Sequence, residues 1–130
     1  MRAMVWSLAA AVLAVGCGDV AEKQALPASD VKADLAELAR ARVFFGHQSV
    51  GGNVLDGLTA LAADNGVALR IVEAPAGVDD GQPGLVHTKV GTNAQPATKC
   101  DAFSSFLAQN PAAPWDAAVL KFCYADLGDR

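Results

Sequence analysis

The first constraints on this sequence come from what it lacks. Its two histidines, His47 and His87, belong to no cluster at ligand spacing, and its three cysteines form no C-x-x-C pair. No metal site or other cofactor is therefore expected. Lysine and arginine total 10 against 14 acidic residues, and they form no stripe. With a formal net charge of −4 and a pI near 4.9, the chain would repel a phosphate backbone, so no nucleic-acid partner is expected. No apolar run reaches the roughly 20 residues that a helix needs to cross a bilayer. What remains is a chain of 130 residues, 52% of them hydrophobic, enough for one modest domain.

The N-terminal end reads as a leader rather than as part of that domain. Met1-Arg2 is a short positive start, and Ala3 to Val15 is apolar but shorter than a membrane span. "LAVGC", Leu13 to Cys17, resembles the lipobox of bacterial lipoproteins, in which the cysteine becomes the acylated first residue of the mature chain. An ordinary signal peptide with an incidental cysteine is the other reading, and both export the protein. Residues 1–16 are thus expected to be removed and Cys17 lipidated, with residues 17–28 as a polar tether broken by Pro27 and a domain from residue 29 to 130. Export permits a disulfide between Cys100 and Cys123. The preferred alternative is two free, buried cysteines, because Cys123 lies in an apolar strand-like run.

Periodicity then divides the domain. Val31, Leu35, Leu38 and Ala39 recur at helical spacing behind Ser29-Asp30, a possible cap. Val43 to Phe45 is β-prone. Val50, Val54, Leu55, Leu58, Leu61 and Ala62 form the next helical stripe, which stops at Asn65-Gly66. Ala68 to Glu73 reads as a strand and "LVHTKV" as a further short one, between turn-rich segments. Thr98 and Asp101 have capping-box spacing ahead of Phe103, Phe106 and Leu107, and Asn110-Pro111 ends that helix. "WDAAVLKFCYADL", Trp115 to Leu127, contains a continuous apolar run of the kind found in strands covered on both faces, with the strand itself at Ala117 to Cys123. Alternating strands and helices predict an α/β fold, a parallel sheet with helices on both faces. Val43 to Phe45, Ala68 to Glu73 and Ala117 to Cys123 are expected to be neighbours in it.

In such a sheet, ligands bind beyond the carboxyl ends of the strands. His47, Gln48 and Ser49 follow the first strand, and Tyr124, Ala125 and Asp126 follow the last. A serine at a helix start lies among unpaired N–H groups and the positive end of the dipole, which can support a nucleophile and hold an oxyanion. The same serine is equally a common helix cap, and His47 equally a structural hydrogen-bonder.

The strand followed by "FGHQSVG" resembles the first block of the SGNH/GDSL hydrolase superfamily, in which a glycine-containing turn presents the nucleophilic serine. "WDAAVLKFCYADL" is similar to its third block, with Asp116 and Asp126 at the two aspartate positions. "FFGHQSVGGN", "GTNAQP" and "KFCYADL" together resemble exported bacterial proteins of this superfamily. The likeness implies a three-layer, flavodoxin-like fold and a serine hydrolase acting on an ester, an acetylated carbohydrate among the candidates, with Ser49 as nucleophile. It departs from the family at three points. Ser49 stands three residues after Gly46 rather than two, and Cys123 and Ala125 replace the third block's glycine and asparagine. Asn93, with Gly91 at the second-block position, is then the candidate oxyanion donor, or else a plain turn residue, while His47 and Asp126 complete the expected substrate-binding set. The family's Asp-x-x-His block has no counterpart before Arg130. The sequence is therefore expected to be a C-terminally incomplete piece with little or no activity of its own. A non-catalytic surface lipoprotein that binds a ligand at the same strand ends is the alternative.

Overall fold

The computed structural model describes residues 28–74, 80–109 and 114–128. The expected leader, Cys17 and all of the expected tether except Ala28 lie outside the described residues, as does Asn110-Pro111. The elements in chain order are α1 (Ala28–Arg40), β1 (Arg42–His47), α2 (Ser49–Asp64), β2 (Ile71–Glu73), β3 (Gly84–Lys89), α3 (Pro96–Gln109) and β4 (Ala117–Leu120), followed by a 3-10 turn at Tyr124–Asp126.

The four strands form one all-parallel sheet in the order β2-β3-β1-β4. An α/β fold with helices on both faces is therefore present, consistent with a flavodoxin-like arrangement. The expected neighbours are corrected in one respect: β2 does not touch β1. The "LVHTKV" strand, β3, stands between them, with Phe44 opposite Val86 in β1–β3 and Val72 opposite Val86 in β2–β3.

Side-chain alternation in β1 assigns the two faces. Val43 and Phe45 join Leu85 and Leu55 on one face, packed against Leu38 of α1 and Leu58 of α2. Phe44, fully buried, joins Val86, Val90 and Phe106 on the other, against Ala102, Phe103 and Leu107 of α3. Aromatic stacking reinforces this second layer: the Phe44 ring lies 4.0 Å from that of Phe106, centroid to centroid, with the planes 6° apart.

The helix starts differ from the expected caps. α1 begins at Ala28, ahead of the Ser29-Asp30 pair. α3 begins at Pro96, where a proline's missing N–H costs nothing in the first turn. Thr98 is thus inside α3, where its hydroxyl donates to Gln95 O and accepts from Thr92 N. α2 ends as expected, with Asn65 as its C-cap and Gly66 in the left-handed region at φ 65°.

The last apolar run is corrected more deeply. β4 spans only Ala117–Leu120 and, among the described residues, is an edge strand paired with β1 alone. Ala117, Ala118 and Val119 are exposed and Leu120 is half-buried against the α3 layer. Its apolar character does not bring burial because α1 and α2 pack over β1, β2 and β3, leaving Val119 49% exposed. At the amino ends of the strands, Arg42 N donates to Asp116 Oδ2 at 2.7 Å, and the Arg42 guanidinium lies 4.4 Å over the Trp115 ring, joining β1 to β4. Asp116 therefore works at the edge of the sheet opposite Ser49.

Candidate functional site

Parallel strands direct all their carboxyl ends to one edge. There the chain leaves β1 into α2 on one face and leaves β3 into α3 on the other, which is the topological switch point where open α/β sheets take ligands. The corners that follow β1, β3 and β4 carry Ser49, the Gly91–Gln95 loop and the Tyr124–Asp126 turn.

Ser49 is the first residue of α2, is exposed, and its hydroxyl has no hydrogen-bond partner among the described residues. It is not the helix cap. Gln48 occupies that place with extended φ −126°, and it makes no side-chain cap bond. Its amide nitrogen reaches across the sheet instead, donating to Val90 O at 2.9 Å and to Gly91 O at 2.6 Å. Gln48 thereby holds the Ser49 corner against the loop after β3.

His47 lies beneath this corner, 3% exposed and stacked on Phe45. Its Nδ1 is 2.7 Å from Gln48 O and its Nε2 is 3.1 Å from His87 Nδ1. A carbonyl only accepts, so Nδ1 of His47 carries a proton. In the neutral pair the proton between the two rings then belongs to His87, which donates to His47 Nε2. The two histidines, isolated in sequence, are thus partners in space. Neither is hydrogen-bonded to Ser49. Burial lowers the pKa of His87 below the usual histidine range, the proximity of His47 lowers it further, and Glu73, opposite it on β2, raises it in part. The first turn of α2 rests directly on His47: a Cβ on Gly51 would lie 2.2 Å from His47 Cγ.

The loop after β3 is held from below. Gly91 has φ 60°, and a Cβ there would lie 2.4 Å from Lys99 N, so only glycine lets the chain pass this close to α3. Ala94 also lies in the left-handed region, at φ 63°, a position unusual for a residue with a side chain. Its N–H donates to Asp126 Oδ1 at 2.9 Å. Lys99, fully buried, donates to Asp126 Oδ2 at 2.5 Å and to Asn93 Oδ1 at 2.9 Å. Asp126 also accepts from Cys123 N at 2.6 Å. The hydrogen bond from Lys99 holds the Asp126 carboxyl below the usual carboxylate range, aided by the N–H groups of Cys123 and Ala94 and opposed by desolvation.

These contacts sort the residues expected to form the site. Ser49 and Asn93 are exposed at the carboxyl edge, and Gly91 is half-buried beside them. His47 is buried beneath α2. The Asp126 side chain is fully buried and both its oxygens are occupied, so its carboxylate acts on the loop and on Lys99 within the fold. His87 and Lys99 emerge as site-building residues from the tertiary structure alone, and so does the part that Gln48 plays at the corner where the sequence already placed it. Gln48 at least adjoined the corner, whereas a lysine in an ordinary helix carries no such signal. Cys123 is buried and free as preferred, while Cys100, also free, is exposed on α3.

Among the described residues, no group of three or more His, Cys, Asp or Glu is placed to hold a metal ion, and no helix is long and apolar enough to cross a membrane. A cavity of about 330 Å³ lined by Thr88, Lys89, Ala102, Ser105, Phe106 and Gln109, among others, opens on the α3 side and includes neither Ser49 nor Asn93. No family profile matches the chain, and no curated protein and no solved structure matches it.

Proposed function

We propose that the protein is an exported, lipid-anchored serine hydrolase of the SGNH type, acting on an ester such as an acetylated carbohydrate, with Ser49 as nucleophile and Gly91 and Asn93 beside the developing oxyanion. The observation that carries this reading is the position of Ser49: exposed and unpartnered on the first turn of α2, at the switch point of a parallel sheet. The sheet order also supports it. The loops bearing Ser49, Gly91-Asn93 and Asp126 follow three adjacent strands, β1, β3 and β4, with β2 added outside them. No acidic residue lies in the first turn of α2 to oppose an anion.

A hydroxyl needs a base to become an effective nucleophile near neutral pH. Both imidazoles here are engaged with one another, so the base of this hydrolase comes from outside the described residues. That same pairing favours the second reading, a non-catalytic lipoprotein that binds a ligand at this edge. The test is a small-ester assay with a serine-reactive phosphonate, applied to this chain and to one extended through a downstream Asp-x-x-His. Hydrolysis by the extended chain, abolished by Ser49→Ala, supports the enzyme. An extended chain that neither hydrolyses esters nor labels at Ser49 leaves the binder.

A further inference from the structure

We infer that Lys99 is a positioning residue: from full burial it fixes the amide of Asn93 so that this exposed side chain offers its Nδ2–H donors, and not its oxygen, to a ligand at the carboxyl edge. The role of those donors in ester hydrolysis rests on the reading proposed above. The orientation of the amide does not.

An asparagine amide is ambiguous by itself, since one end donates and the other accepts. Lys99 removes the ambiguity, because an ammonium has three donors and no acceptor, and its Nζ lies 2.9 Å from Asn93 Oδ1. What Asn93 retains for a ligand is the NH₂ group. Desolvating an ammonium is costly unless it is paired, yet Lys99 is 0% exposed and is balanced by Asp126, whose other oxygen holds the Ala94 N–H. Asn93 and the left-handed Ala94 are thus fastened to the same ion pair. Thr98 takes the Thr92 N–H, and Gln48 takes the Gly91 carbonyl. Buried charge and backbone strain both cost stability, and they persist where the surrounding structure over-determines them. Here they converge on one exposed amide. The site selects ligand atoms that only accept, such as an acyl carbonyl oxygen or the oxyanion it becomes.

Three measurements test this. In the ¹⁵N-labelled chain, Lys99→Met should collapse the two Asn93 side-chain NH₂ resonances toward those of a free asparagine, while the resonances of the Phe44 core remain. An unchanged Asn93 pair in a folded Lys99→Met chain overturns the inference. If Lys99→Met does not fold, Asn93→Asp decides, because it keeps an oxygen for the ammonium: although Asp126 shares that ammonium and repels a second carboxylate, the direct hydrogen bond from Lys99 should hold the introduced carboxyl below the ordinary 3.9, and titration at or above the ordinary value overturns it. Where Ser49 reacts with the phosphonate, Asn93→Asp should slow labelling about 10²- to 10³-fold, the loss typical of one oxyanion donor, and an unchanged rate refutes the donor role. Failure of the phosphonate to label Ser49 in any form counts against the hydrolase alone, since the two spectroscopic measurements still decide the orientation of Asn93.

Discussion

Three glycines of α2 make an internally controlled experiment on the floor of the candidate site. A Cβ on Gly52 or Gly57 would meet nothing within 4 Å. Alanine there should stabilise the helix by about 0.5–1 kcal/mol, because glycine gives up more backbone freedom on folding. At Gly51 the same methyl would lie 2.2 Å from His47 Cγ and 2.3 Å from its Cβ and Nδ1. Those atoms are the root of a buried side chain and cannot swing aside as a flexible tip would. Overpacking of this kind costs about 1–3 kcal/mol. Gly51→Ala should therefore be less stable than Gly57→Ala by about 1–3 kcal/mol, the propensity gain common to both having been cancelled or reversed at Gly51. For a domain of this size each kcal/mol moves the midpoint by roughly 4–8 °C, so the two variants separate clearly in urea or thermal unfolding. The histidine pair supplies a second readout, since displacing the His47 ring should shift the ring resonances of His87. Gly51→Ala as stable as Gly57→Ala, with the His87 resonances unmoved, would refute the packing of α2 on His47.

Three other outcomes are expected. Stability should fall as pH drops from about 7 to 5, because an unfolded His87 takes up a proton that the native one resists, and ν of the unfolded state then exceeds that of the native state. A further loss should come through the carboxylate range, where the lowered pKa of Asp126 forfeits its contribution. Urea midpoints at stepped pH check both, and stability that rises on acidification contradicts them. Gly91→Ala, combining φ 60° with a Cβ 2.4 Å from Lys99 N, should destabilise by at least about 1 kcal/mol, which denaturation of the purified chain measures. On the proposed lipid-anchored reading, Cys17→Ser should release the protein from membranes, and mass spectrometry finding an unmodified Cys17 in the wild type would remove the anchor from the proposed function.

Much of the architecture was legible because its causes are local. The helical stripe of α2 and its stop at Asn65-Gly66 depend on neighbours three and four residues apart and on one glycine able to take positive φ. The alternation of strand and helix led to a parallel sheet with covered faces, and that sheet by its geometry put Ser49 and Asp126 at the same edge. Even the error at Ala117 to Cys123 is instructive. Apolar composition reports that a strand tolerates burial, but whether a helix covers it depends on where the crossovers run, and here α1 and α2 pack over the other three strands.

The sequence by itself determined the class of fold and the corner at which a serine, an amide and a histidine meet. Only the tertiary structure decided what each of them touches. His47 and His87 are 40 positions apart, and no spacing rule joins them until β1 and β3 pair in register. Lys99 reads along the chain as one more solvated helix charge, and it becomes a buried cation only because the turn after β4 brings Asp126 within hydrogen-bond reach. Gly51 and Gly52 are adjacent and chemically identical, yet one rests on an imidazole and the other faces open space. Local rules act through the backbone a few residues either way, whereas burial, pairing and the orientation of a side chain depend on which distant segments arrive beside it, and that is settled by the packing of the whole chain.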